Sequence, residues 1–184
     1  MEQDAGEPGS GGAEVQAALD RLLPVLTAGM PPAESAKARE TLAALFTLRA
    51  ARPGGAAGLE GEVGARLKRA GGLPPEGRRR MLREDELALG VEQLAGRVSG
   101  AALGVLRGEV KATPALKRET RRHLARLGQL NAIIVGRFPH LTALLEEVSD
   151  AYLDGMFILG DGKGPLSARL LREKKEREFP GKAG

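Results

Sequence analysis

Residues 75–110 read PEGRRRMLREDELALGVEQLAGRVSGAALGVLRGEV, and the spacing within this stretch decides the fold class. Leu82, Leu87, Val91, Leu94, Val98, Leu103, Val105 and Leu106 recur at helical intervals. The pattern predicts one long helix rather than strands. Inside it, Gly96, Gly100, Gly104 and Gly108 fall at every fourth place, which in a helix sets them along one slowly drifting stripe. Each interior glycine costs about 0.5–1 kcal/mol relative to alanine, so the stripe calls for a compensating contact. Close approach of a second helix is the expected one. It is read first as a tight contact inside the same domain, and second as a seam for self-association or a partner helix. Arg97, Arg107 and Glu109 argue against a membrane setting for it.

The rest of the chain repeats the helical signal. Upstream, a helix is expected from about Ala13, with Val15, Leu19, Leu22, Leu23 and Leu26 on one side and Pro24 bending or ending it. Pro31-Pro32 opens the next, whose Leu42, Leu45, Phe46 and Leu48 face a core up to about Arg52. Pro53-Gly54-Gly55 breaks it, and a short helix covers Leu59–Ala70. Residues 13–70 are thus expected to form an N-terminal helical hairpin, preceded by a disordered segment over residues 1–12. Gly71-Gly72-Leu73-Pro74-Pro75 is the strongest linker signal, leading into a main helical unit over residues 76–160.

Downstream, Thr113-Pro114 marks a helix start, with Thr as N-cap and Pro at the first helical position. That helix runs to about Val135. Phe138-Pro139 opens another, to about Leu159, and Gly160–Pro165 is a loop before a last basic helix over Leu166–Glu178. The expected fold is all-α, a bundle of five to seven helices. Composition agrees: Ala and Leu dominate, aromatics make up 3%, and there is no Trp, so strand-forming residues are scarce.

Several function classes drop out at once. Without Cys there is no disulfide framework, thiolate nucleophile or Cys-bound metal. Glu2, Asp4 and Glu7, with no early apolar run, predict neither a secretory nor a transit segment. Apolar runs around Ile133–Val135 and Met156–Leu159 are too short to span a bilayer. A soluble intracellular protein with no membrane partner and no cofactor is expected.

Charge is segregated rather than mixed. Residues 66–83 carry seven bases against Glu76, residues 111–126 six against Glu119, and residues 140–161 five acids and no base. On the helix after Pro114, Leu116, Leu124, Leu127, Leu130 and Ile134 share one face, while Lys117, Arg118, Arg121, Arg122 and Arg126 spread over the other. These five, with Arg78-Arg79-Arg80 and the bases of the last helix, form a candidate surface for nucleic-acid phosphates or an acidic protein partner. The turn at Lys111–Pro114 even permits a helix-turn-helix reading. No aromatic residue is interleaved to stack bases, so a solvated basic face is the simpler account.

Glu146, Asp150 and Asp154 follow one another at every fourth place, with Glu147 beside them, as carboxylates that hold Mg²⁺ can. Residues 146–154 (EEVSDAYLD) resemble the second metal motif, ExxD, of the all-helical MazG-type nucleotide pyrophosphohydrolases. That resemblance spans nine residues and implies metal-dependent nucleotide hydrolysis. The family's upstream EExxE motif has no counterpart one helix earlier, where Glu119 stands alone, so no metal site is expected.

Other chemistry is thin. His123 lies at the edge of an apolar face, and His140 suits a helix first turn. Gly160-Asp161-Gly162-Lys163-Gly164 lacks the GxxxxGK[ST] spacing of a phosphate loop. The sequence points to a non-enzymatic interaction module, an adaptor or small subunit with a protein partner or a second copy of itself. Nucleic-acid binding is the alternative, and nucleotide hydrolysis a distant third.

Overall fold

The computed structural model describes residues 10–178, and among them every regular element is an α-helix. Seven follow in order: α1 (Ser10–Leu26), α2 (Pro32–Ala50), α3 (Gly55–Ala70), α4 (Pro75–Arg107), α5 (Pro114–Arg137), α6 (Thr142–Leu159) and α7 (Ala168–Glu178). The all-α bundle is as expected. No helix among the described residues is long and apolar enough to cross a membrane. Of the disorder expected over residues 1–12, residues 1–9 lie outside the described residues. Ser10–Gly12 form the first turn of α1.

The chain falls into two compact units, Met1–Leu89 and Gly90–Gly184, with the boundary inside α4. The Pro/Gly stretch at residues 71–75 is therefore a turn within the first unit. In place of a hairpin, that unit holds three helices and the start of a fourth. α1 packs on both α2 and α3, because Leu19, Leu22 and Leu26 repeat at a spacing that keeps them on one side. They meet Leu42, Phe46, Leu59, Val63 and Met81 in one apolar cluster. Pro24 does not end α1, which runs two residues further.

Local signals place the helix ends of the second unit. The Thr113 side chain accepts the Leu116 N–H at 3.2 Å, and Pro114 takes the first helical position. Ser167 does the same for Leu170 at 3.3 Å, so α7 starts at Ala168. Asp161 and Gly162 turn the intervening loop with positive φ.

The glycine stripe requires a correction. Gly108 is outside α4: with φ of 76° it caps the helix, its N–H bonding Val105 O at 3.1 Å while Glu109 N–H bonds Gly104 O at 2.9 Å. This pair of bonds is the Schellman motif, and glycine is favoured there because an L side chain opposes the left-handed backbone. Val110 then folds back over Gly104, with Cγ2 2.8 Å from where a Cβ would stand. Gly96 and Gly100 are exposed and have nothing within 4 Å of that position. The four residues thus serve one cap, one local packing contact and two open helical positions. Gly96→Ala and Gly100→Ala are each expected to stabilise the protein by about 0.5–1 kcal/mol through helix propensity. Gly108→Ala should destabilise it by about 1 kcal/mol, since alanine must adopt the left-handed conformation there. Urea unfolding of the three variants reads all three signs.

Candidate interaction surface

Most of the charge in residues 66–83 is used internally. Arg66 stands at the centre of this pairing. Its Nη1 donates to Asp85 Oδ1 at 2.6 Å and its Nε to Glu62 Oε1 at 3.0 Å, while the guanidinium lies 5.6 Å from the Phe46 ring centroid. Glu62 also accepts from Arg49 of α2. Arg69 pairs with Glu84 at 3.0 Å, and Arg79 with Glu34 at 2.9 Å. The acids come from residues up to 45 positions away in sequence. What reads locally as a basic patch is one side of an inter-helix charge network.

Asp85 is buried, with Oδ2 lacking a hydrogen-bond partner among the described residues. Burial raises its pKa above the ordinary 3.8, and this outweighs the opposing pull of Arg66. A cleft of about 250 Å³ between α2 and α4 is lined by Glu34, Lys37, Thr41, Arg79, Arg83 and Glu86 among others. Its ions largely satisfy one another, through Arg79–Glu34 and Lys37–Glu86 at 2.7 Å. The cleft offers no set of polar groups converging on a ligand.

In the second unit, α5 and α6 come into unusually close contact. At Gly155 of α6, Leu124 Cδ1 lies 2.7 Å from where a Cβ would stand. The Tyr152 hydroxyl donates to the Leu124 carbonyl at 2.8 Å and sits 2.8 Å from the equivalent point on Gly128. Lys117 Nζ meets Asp161 Oδ1 at 2.6 Å. Together these contacts fix an antiparallel register in which Arg121 lies level with Phe157 and Ile158. The close contact within the domain, the first reading of the stripe, is absent at Gly96 and Gly100, and tight inter-helix glycine contacts occur at Gly128 and Gly155 instead. Neither belongs to a regular glycine spacing, so periodicity does not reveal them.

The five bases of α5 do not act alike. Lys117 is engaged by Asp161, and Arg126 donates to Gln129 at 2.7 Å. Arg118, Arg121 and Arg122 are exposed, and none makes an ion pair among the described residues. The bases of α7 differ again: Arg177 donates to Leu106 O at 3.2 Å near the C-terminal end of α4, and Glu173 of α7 binds Arg107 at 2.6 Å.

The acids of α6 are not gathered for a metal. Asp154 is fully buried, with Oδ2 accepting from Ser99 Oγ at 2.6 Å, whereas Glu146 is exposed. Among the described residues no group of three His, Cys, Asp or Glu side chains is placed to hold a metal ion. His123 is half-buried beside Glu119 at 3.9 Å, and His140 is exposed.

Exposed large apolar side chains are confined to one part of the chain. Among the described residues they are Val110, Ile133, Val135, Tyr152, Met156 and Leu171, all in the second unit. Val135 is 57% and Met156 52% exposed. Neither composition nor charge counts single them out, because helical periodicity does not say which apolar positions lack a neighbour.

The chain matches no protein-family model, no curated protein and no solved structure.

Two outcomes follow from this geometry. Asp85 protonates more readily folded than unfolded, so its contribution to stability is greatest below pH 3.8. That contribution falls as pH rises through the raised value. Asp85→Asn removes this titration, and its stability relative to the native chain should improve as pH rises through the same window. Urea midpoints measured in steps from pH 3.5 to 8 test this, and parallel curves would contradict it. Gly155→Ala should be net destabilising, because overpacking costs about 1–3 kcal/mol against a helical gain of about 0.5–1 kcal/mol. Thermal unfolding measures the balance.

Proposed function

We propose that the protein is a non-enzymatic helical interaction module, an adaptor or small subunit that binds another protein through its second unit. The observation that carries this reading is that, among the described residues, exposed large apolar side chains are confined to that unit, which also holds three exposed arginines without ion pairs. Arg, Tyr and Met are enriched at interface cores, and clustered exposed apolar groups mark interaction sites more often than chance placement does. The first unit supports the reading differently. Its charged groups are largely paired with one another, which suits a scaffold.

Affinity capture from native lysate, with and without nuclease, tests the proposal. The native chain is expected to retain a stoichiometric protein that survives nuclease, and a V135E/M156E variant of unchanged circular dichroism to lose it. Equal retention by both, or a catch that disappears with nuclease, would remove the reading.

A further inference from the structure

The α5/α6 pair presents one continuous face, and its make-up specifies the chemistry of what covers it. At about 100° per residue, Arg118, Arg121, Ala125, Gly128, Ala132 and Val135 run along the side of α5 that adjoins α6. Ala125 and Ala132 are exposed and Gly128 is half-buried, so the α5 backbone lies low along this strip. From α6, Ser149, Tyr152 and Met156 border it, all exposed. The result is a shallow apolar strip with a raised edge at Tyr152 and Met156, and with Arg118 and Arg121 at one end. Arg122 stands on the rim.

We infer that this face takes an amphipathic helix of a partner protein, whose apolar side covers Val135, Tyr152 and Met156 and whose carboxylates meet Arg118, Arg121 and Arg122. The inference rests on the module reading above and adds the class of partner. Small residues along α5 let a second helix approach closely, as they do at Gly155 within the pair itself. The arginines lack acidic partners among the described residues, so carboxylates from outside gain charge-assisted hydrogen bonds without breaking existing ones. A nucleic-acid backbone would satisfy the arginines but leave Val135 and Met156 uncovered. The one aromatic group on the strip, Tyr152, has its hydroxyl tied to Leu124 O rather than free beside a base. A second copy of this chain is a poorer match, since Glu146 and Asp150 lie on a different side of α6 from Tyr152 and Met156.

The test is selection of random helical peptides from a display library on the full-length protein. A short DNA duplex is titrated in parallel, and the mass of the free protein is measured. Enriched peptides are expected to carry apolar residues at helical spacing flanked by Asp and Glu. Their affinity should fall about tenfold or more for R118E/R121E and again for M156E, with circular dichroism unchanged. Enriched peptides that ignore both variants would leave the module reading standing and overturn this face. An absence of enrichment would overturn this face as a helix site, while the module reading stands or falls on the lysate capture. Duplex binding lost in R118E/R121E but kept in M156E would assign the face to a polyanion instead. A dimer broken by M156E would assign it to a second copy.

Discussion

The approach of α5 to α6 at Gly155 is the contact on which the second unit's surface depends. Leu124 fills the space that any side chain at residue 155 would claim, and one turn along α5, Gly128 leaves room for the Tyr152 hydroxyl. Two missing Cβ atoms therefore set the helix separation, and the bond from Tyr152 to the Leu124 carbonyl sets the register. Everything exposed on this side follows from that register. Had the helices slid by one turn, Tyr152 would lose the Leu124 carbonyl and Lys117 would lose Asp161. The strip is a by-product of how the hairpin closes, since the same contacts that join α5 to α6 place its residues.

The first unit is organised by charge as much as by apolar packing. Arg66 binds carboxylates from its own helix and from α4 while its guanidinium rests near Phe46 of α2. Partly buried ion pairs of this kind add little net stability compared with apolar replacements, but losing one partner leaves an uncompensated charge. Their value lies in selection among arrangements. Ala- and Leu-rich helices have smooth, interchangeable faces, and with only 3% aromatic residues few large shapes lock them into place. A directional hub joining three helices supplies what shape alone does not.

The parts of the fold legible in the sequence were those governed by local physics. Thr113-Pro114 announced a helix start, and the glycines around Asp161 announced a loop, because each effect acts within a few residues. Gly108 misled for an instructive reason: a cap glycine four residues after Gly104 continues the spacing of a stripe while doing different work. Opposite-sign runs such as these can steer a partner or pair with one another, and the sequence leaves that choice open because the partners lie far along the chain, as Arg79 and Glu34 do. The candidate surface was half visible. Helical spacing picks out Arg118, Arg121 and Arg122 only together with Lys117 and Arg126, and the apolar strip depends on which neighbours are absent, a property of tertiary structure alone.

Tyr152 carries a practical consequence. The chain has one tyrosine and no tryptophan, and that tyrosine borders the strip with its hydroxyl held by a backbone carbonyl. The tyrosine emission of the protein therefore comes from a single point on this surface. Any molecule that settles there alters the ring's solvation or its hydrogen bond, and the change is visible without a label, a tag or an added fluorophore.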